Sequence, residues 1–248
     1  MNGLVSIITP TFNSSKFIGS TIESIRNQTY RDWELLITDD GSTDNTIKVI
    51  NDYQKQDSRI KLFLLKVNSG AGFARNNSIK MASGKYIAIC DSDDLWLPHK
   101  LKKQIDFMNN NNLLFTYSSF DIIDENDVNI SKVTPPTRLT YSNLLKGNKI
   151  GCLTAIYDTS YLGKLYMSNI RNRQDWVLWL TILKKIKATK GLKESLAFYR
   201  KRKGSISRNK LKMITYHWRV YRQEMKINLF NSVVLLFQNI VYHIKKNG

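Results

Sequence analysis

From Val5 to Cys90, short apolar runs alternate with amphipathic runs three times and close on a fourth apolar run, and few folds can bury such a chain. Val5–Ile8, Trp33–Thr38, Ile60–Leu65 and Tyr86–Cys90 read as buried strands. Between them, Phe17, Ile18, Ile22 and Ile25, then Ile47, Val49, Ile50 and Tyr53, recur at helical spacing. Ser14 or Ser15 is placed to cap the first helix, and Asn68 to Gly72 opens the third, which runs to Ala82. Strand and helix in alternation predict an α/β fold with a mainly parallel, doubly wound sheet whose loops gather at one edge.

Those loops are polar. Thr9 to Asn13, Asp39 to Asp44 and Asp91 to Asp94 all follow strands, so one rim of the sheet collects a hydroxyl-rich loop and two acidic ones. A single acidic turn is commonly structural, but three polar strand ends on one rim describe a cleft for a polar ligand. Asp91 and Asp93 are two apart in what reads as extended chain, so both face one side. Two hard oxygen ligands there suit Mg²⁺ or Mn²⁺, and through it a diphosphate. The same acids also fit a turn that caps the helix after Pro98. A dinucleotide fingerprint is absent, since Gly70-Ala71-Gly72 follows the third strand and has Arg75 where the last small residue would fall. No phosphate-binding P-loop is written in the chain either.

The length of 248 residues suits one sizeable domain, or one with an appendage. A net charge of +18 is unusual, and from Lys184 onward only Glu194 and Glu224 are acidic. That half asks for an anionic partner, a nucleic acid or a membrane surface. Nucleic acid leaves the acidic rim unexplained, because carboxylates in a cleft repel phosphates unless a cation intervenes. Two cysteines, Cys90 and Cys152, make no disulfide framework and fit a reducing compartment, and three dispersed histidines make no metal cluster. The start carries no signal-peptide pattern, and no apolar run is long enough to cross a bilayer.

With these features in place, the chain resembles the family-2 glycosyltransferases, an inverting family with a GT-A fold. The resemblance rests on Val5-Ser6-Ile7-Ile8-Thr9-Pro10-Thr11-Phe12-Asn13, Asp39-Asp40-Gly41-Ser42-Thr43-Asp44, Ala74-Arg75-Asn76, Gly84 to Asp94, and Arg173-Gln174-Asp175-Trp176, in the family's order. It implies a nucleotide-sugar site in the first half. There Phe12 stacks on the base with Thr9 in the same loop, and Asp40 accepts the uracil N3–H, which makes the donor a UDP-sugar. Arg75 lies near the diphosphate, although a solvated helix residue is its plain alternative. Asp91 and Ser92 bind the nucleotide-sugar and Asp93 binds the metal, Mn²⁺ or Mg²⁺, while Asp94 is structural. Asp175 is implied as the general base that deprotonates the acceptor hydroxyl, and an acidic helix cap as its plain alternative. Tyr199-Arg200 with Ser205 and Ser207 resembles a basic segment that closes over the diphosphate after the last core strand. A non-catalytic scaffold that binds sugar nucleotide or lipid is the competing reading.

The expected division is a GT-A domain over residues 1–205, with a nucleotide-sugar half at 1–98 and an acceptor half at 99–205, then a basic helical tail at 206–248. Phe115 to Ile150 reads only as acceptor-side strands and loops. In the tail, Lys210, Lys212, Arg219, Arg222 and Lys226 interleave with Tyr216, Trp218 and Tyr221. Then Ile227, Leu229, Phe230, Val233, Val234, Leu236, Phe237, Ile240, Val241 and Ile244 fall in one helical arc, with Leu235 the exception among the polar residues opposite. Such a helix fits the headgroup region of an anionic leaflet, or packing on the protein's own core or on a second subunit in a homo-oligomer. Together with the family this implies a peripheral enzyme at the cytoplasmic face of the inner membrane, acting on a lipid-linked glycan of O-antigen, capsule or lipopolysaccharide core type.

Overall fold

A computed structural model describes residues 3–202 and 210–247. The first strands and helices follow the expected alternation: β1 (Val5–Thr11), α1 (Ile18–Arg26), β2 (Trp33–Asp39), α2 (Thr46–Gln56), β3 (Ile60–Leu64), α3 (Ala71–Met81) and β4 (Tyr86–Ile89). β1, β2, β3 and β4 pair in parallel in the order β3-β2-β1-β4. The residues of β1, β2 and β4 are buried on both faces, which is why they read as near-unbroken apolar runs, while β3 lies at the sheet's edge and is only partly covered.

Beyond β4 come β5 (Leu95–Trp96), α4 (Lys100–Asn110), β6 (Phe115–Ile123), β7 (Asn129–Val133), β8 (Arg138–Thr140), α5 (Tyr141–Leu145), β9 (Ile156–Asp158), α6 (Thr159–Leu162), α7 (Gln174–Ile186) and β10 (Ala188–Arg200). They extend the sheet as β4-β9-β6-β10-β5, with β7 and β8 added beside β6 and β10. β9 runs antiparallel to both β4 and β6, while β6 and β10 are parallel. The sheet is therefore mainly parallel in its first half and mixed in its second, and the segment from Phe115 to Ile150 supplies three strands and α5. Two apolar layers enclose it. One gathers α7 through Trp176, Trp179 and Leu183, with Trp179 stacked on Phe115 at 5.1 Å, and the other gathers α1 and α4.

The tail forms α8 (Lys210–Arg219), a π-helical turn at Val220–Glu224, and α9 (Leu229–Asn247). It does not hang free. Val220 and Tyr221 are fully buried in the α7 layer, and Tyr221 and His217 set their rings edge-on to Trp176. The last carbonyls of a helix have no partner within it. At the end of α5, those of Leu144, Leu145 and Lys146 receive the Trp176 indole N–H at 2.9 Å, the Tyr221 hydroxyl at 2.8 Å and the Asn239 amide at 2.9 Å. Two of these three donors come from the tail.

At the end of the sheet opposite the polar rim, one carboxylate staples three strands. Buried Glu34 accepts the Ser6 hydroxyl, the Ser83 N–H and hydroxyl, and the Lys61 ammonium. Burial works to raise its pKa, but the Ser83 and Ser6 hydrogen bonds outweigh it and hold the group at about 2, below the ordinary 4.5. A depressed carboxylate contributes stability that is full above the unfolded value and is lost as pH falls toward the folded one. Glu34→Gln is expected to lose on the order of 2 kcal/mol at pH 7, and to flatten the acid limb between pH 4.5 and 2 in urea titrations. An unchanged acid limb would remove Glu34 as the staple.

Candidate active site

The polar rim forms as expected, but its parts are placed differently from their sequence assignments. β1 does not stop at Ile8; it runs on to Thr11 as a ladder with β2, and β4 leaves it after the Ile8–Ile89 pair. Pro10 is tolerated because that second neighbour has gone. Thr9 is thus a core strand residue, fully buried, and not a loop residue. Phe12 follows immediately and stands 45% exposed, a free aromatic face at the rim.

The loops are laced together. Asn13, held at φ 47°, accepts the Thr43 N–H on its side-chain oxygen at 2.8 Å, and its own N–H goes to the Ser42 hydroxyl. Ser14 does not cap α1 with its side chain; its hydroxyl meets that of Ser92 at 2.9 Å, tying the first loop to the acidic turn. Ser92 is thereby buried and engaged. Asp39 accepts the N–H groups of Gly41 and Ser42, and Asp44 those of Thr46 and Ser15, so these two acids hold the turn that leads into α2. Asp40 is 3% exposed, and its two oxygens accept the N–H groups of Ser69 and Gly70, each at 2.7 Å. It anchors the loop that opens α3, where Gly70 at φ 93° turns its N–H toward the carboxylate. Each oxygen retains one lone pair for a ligand donor.

After β4 the chain does not stay extended. Asp94 N–H bonds back to the Asp91 carbonyl, so Asp91 to Asp94 is a turn. Three carboxylates crowd there, and three arginines answer them. Asp91 takes the Arg75 Nη2 at 2.6 Å, and Asp93 takes the Arg202 Nε at 2.7 Å. Asp94 is buried and accepts the Arg200 backbone N–H at 3.0 Å, which confirms it as structural but anchored to β10, not capping α4. Burial and then Asp93 push the Asp94 pKa well above the ordinary value. Burial pushes that of Asp93 up too, against the pull of Arg202.

Arg200 is not a loop residue after the last strand. It ends β10, and its buried guanidinium donates to the carbonyls of Asp93 and Asp124 and pairs with Asp127 at 2.5 Å. Ser205 and Ser207 lie outside the described residues. Arg202 was legible only as part of the basic run Arg200-Lys201-Arg202-Lys203.

Arg75 joins the two halves. Besides Asp91 it donates to the Gln174 side-chain oxygen at 3.3 Å, one residue before Asp175. It is no solvated helix residue; its side chain is 12% exposed, and Asp91 and Asp175 hold its charge firmly in place despite burial. Asp175 opens α7 and accepts the Asn148 amide at 2.7 Å. Burial raises its pKa above the ordinary range, although Arg173 and Arg75 work to lower it. Arg173 holds a left-handed backbone at φ 68°, a strained state for a residue with a side chain. Among the described residues, the Nε–H groups of Arg75 and Arg173 are buried without a hydrogen-bond partner. Asn148 was not picked out by sequence, since nothing local in an Asn marks it as facing a carboxylate, and Arg173 and Gln174 were quoted only as part of the motif around Asp175, with no role of their own.

No set of three His, Cys, Asp or Glu among the described residues is arranged to hold a metal. A small hard cation does not need one, since it is commonly held by one or two carboxylates and by substrate phosphates. Asp91 and Asp93, two carboxylates in one turn, fit that shared mode.

The family described as "Glycosyl transferase family 2" matches residues 6–230. WfgD of Escherichia coli, named UDP-Glc:alpha-D-GlcNAc-diphosphoundecaprenol beta-1,3-glucosyltransferase, is 40% identical over 248 residues, 99% of this chain and 95% of that protein. TuaG of Bacillus subtilis, named for teichuronic acid biosynthesis, is 38% identical over 98% of this chain and 97% of its own length. In structure, Staphylococcus aureus TarS 1-349 in complex with UDP-GlcNAc superposes with a TM-score of 0.72 at 20% identity, over 97% of this chain and 72% of that one. At that identity the likeness speaks for the GT-A fold.

The Arg75–Gln174 bridge depends on Gly72, because a Cβ there would stand 2.1 Å from the Gln174 amide nitrogen. The end of a glutamine moves cheaply, so Gly72→Ala is expected to fold with an unchanged Tm while sugar transfer falls by about tenfold. Wild-type transfer in that variant, with Gln174 displaced, would deny the bridge a part in the site.

Proposed function

Because the chain belongs to glycosyl transferase family 2 and is a glycosyltransferase, we propose that it moves a sugar from a UDP-sugar to a hydroxyl of a lipid-diphosphate-linked glycan in bacterial surface polysaccharide synthesis, with inversion at the anomeric carbon. The observation that carries this is Arg75, whose one guanidinium touches Asp91 at the end of β4 and Gln174 beside Asp175 at the start of α7. The donor-side acids and the candidate base thereby face one cleft. The names of two relatives support the substrates: WfgD and WfaP of Escherichia coli are both named for UDP-Glc and a diphosphoundecaprenol-linked GlcNAc.

In this reading Phe12 offers its exposed face to the uracil, and the free lone pairs of Asp40 accept the base N3–H. The diphosphate lies at the acidic turn. Asp93, with Asp91 beside it, would hold a divalent cation there, which as a Lewis acid offsets the charge that develops on departing UDP. Mn²⁺ accompanies GDP-Man in a Pyrobaculum calidifontis mannosyltransferase of like fold, with a TM-score of 0.63. The buried Nε–H groups of Arg75 and Arg173 add two donors for anionic oxygen. Asp175 takes the proton of the acceptor hydroxyl as its oxygen bonds to the anomeric carbon. The bond to UDP breaks on the opposite face, and its electron pair leaves with the β-phosphate oxygen. The raised pKa of Asp175 brings it nearer to the operating pH, as a general base requires.

Calorimetry with UDP, GDP and dTDP, with and without Mn²⁺, tests the donor site. UDP is expected to bind best, to depend on metal, and to lose that dependence in Asp93→Ala. Tight binding of another nucleotide would overturn the part given to Asp40. Asp175→Asn is expected to keep UDP affinity within about twofold while transfer falls by roughly 10²–10⁴. Full transfer in that variant would sink the base assignment, and UDP binding with no transfer by wild type to any lipid-linked acceptor would favour a scaffold.

A further inference from the structure

Over Leu229–Asn239, α9 leaves most of its apolar arc outward, beside Asn231 and Gln238. Its inward face is Ser232, Leu235, Leu236 and Asn239, spaced i, i+3, i+4 and i+7, and two of those four are polar. Ser232 is fully buried and donates to the Asn228 carbonyl, and Asn239 is 2% exposed and satisfies the Lys146 carbonyl. Leu235, the one apolar residue that breaks the helix's polar side in sequence, packs inward with them. The opposite arc stands in solvent: Leu229 at 60%, Phe230 at 77%, Val233 at 52% and Phe237 at 67% exposed, with Val234 beside them. A helix that covered its own domain would present the reverse face. Contiguous exposed aromatic and aliphatic side chains of this kind mark an interaction surface.

We propose that this arc docks on the surface of an anionic phospholipid bilayer, with α9 lying in the headgroup region. Charge argues for that occupant. The sequence from Met225 to Gly248 has no Asp or Glu and carries Lys226, Lys245 and Lys246, and Arg219 and Arg222 just before it are exposed. Basic residues beside an apolar arc are drawn to an anionic leaflet. A second copy of the chain is the poorer fit, because a two-fold contact through this arc sets the same basic flanks against each other on a chain of net charge +18. No helix among the described residues is long and apolar enough to cross a membrane, so the helix lies on the bilayer.

The docked side is also the acceptor side. Asn239 and Tyr221 hold the carbonyls of Lys146 and Leu145, and the next side chain but one, Asn148, donates to Asp175. Bilayer contact through α9 therefore sets the lipid surface against the element that carries the candidate base's partner. Vesicle binding is read without donor or acceptor, so it stands or falls apart from the transfer reading.

The test is co-sedimentation of the full chain with vesicles of phosphatidylcholine alone and with about one quarter phosphatidylglycerol, beside the double variant Phe230→Glu/Phe237→Glu. Both positions point outward, so the variant keeps the wild-type Tm. Wild type is expected to pellet with anionic vesicles at least tenfold more than with neutral ones, to release in high salt, and to lose binding in the variant. Wild type staying in the supernatant, or the variant pelleting equally, overturns the proposal. A wild-type dimer that the variant makes monomeric, with no vesicle binding in either, reassigns the arc to self-association and overturns it as well.

Discussion

Three carboxylates within four residues are the constraint around which this molecule is arranged. Asp91, Asp93 and Asp94 repel one another in a partly buried turn, and burial makes each charge more expensive. The fold answers with Arg75 from α3, the Arg200 backbone from the end of β10, and Arg202 just beyond it. Arg200 and Arg202 come from far along the chain, so the charge of the turn is balanced where the second half of the sheet meets the first. The cost leaves a mark, since Asp93 and Asp94 still titrate above the ordinary range. A site that holds negative charge under such tension is suited to a cation that arrives with its substrate, because binding relieves a repulsion already present.

How much of this the chain declares in its residues follows from the range of each interaction. The four parallel strands and their helices are local patterns, and all but the end of β1 read within a residue or so because their cores are short apolar runs. The family resemblance gathers the site residues for the same reason: its motifs are short and contiguous. What could not be read is pairing across distance. Thr9 looks like a loop residue because Pro10 follows it, and only the departure of β4 after Ile89 lets the strand run on. Asp40 looks like a ligand residue, yet its first partners are the N–H groups of Ser69 and Gly70. Asn148 carries no local signal at all, and Gln174 only that of the motif it shares with Asp175; their partners, Asp175 and Arg75, are set by how α7 meets α3 and the segment after α5.

The tail shows the same limit from the other side. Amphipathicity along α9 is plain in the sequence, but which face turns inward is not a property of the helix alone. Apolar burial favours turning the arc inward, at about 25 cal/mol per Å². The competing demand is the unsatisfied end of α5, whose carbonyls need donors. Tyr221 and Asn239 supply two of them, and Asn239 can reach Lys146 only if the side of α9 that carries Ser232 and Asn239 lies against the domain. Gly147, at φ 145°, admits it, since a side chain there would crowd the Asn239 amide at 2.9 Å.

These two features meet at one place. The segment Leu144 to Asn148 is held from one side by the tail and by Trp176, and it holds Asp175 from the other. Trp176 is itself the residue after Asp175, so its indole fixes the first turn of α7 against the end of α5. A small displacement of that end moves both the backbone before the base and the amide that orients it. The placement of Asp175, the candidate base, thus rests on polar contacts of the tail as well as on the apolar core beneath, so α9 is tied to the site although much of its apolar surface faces outward.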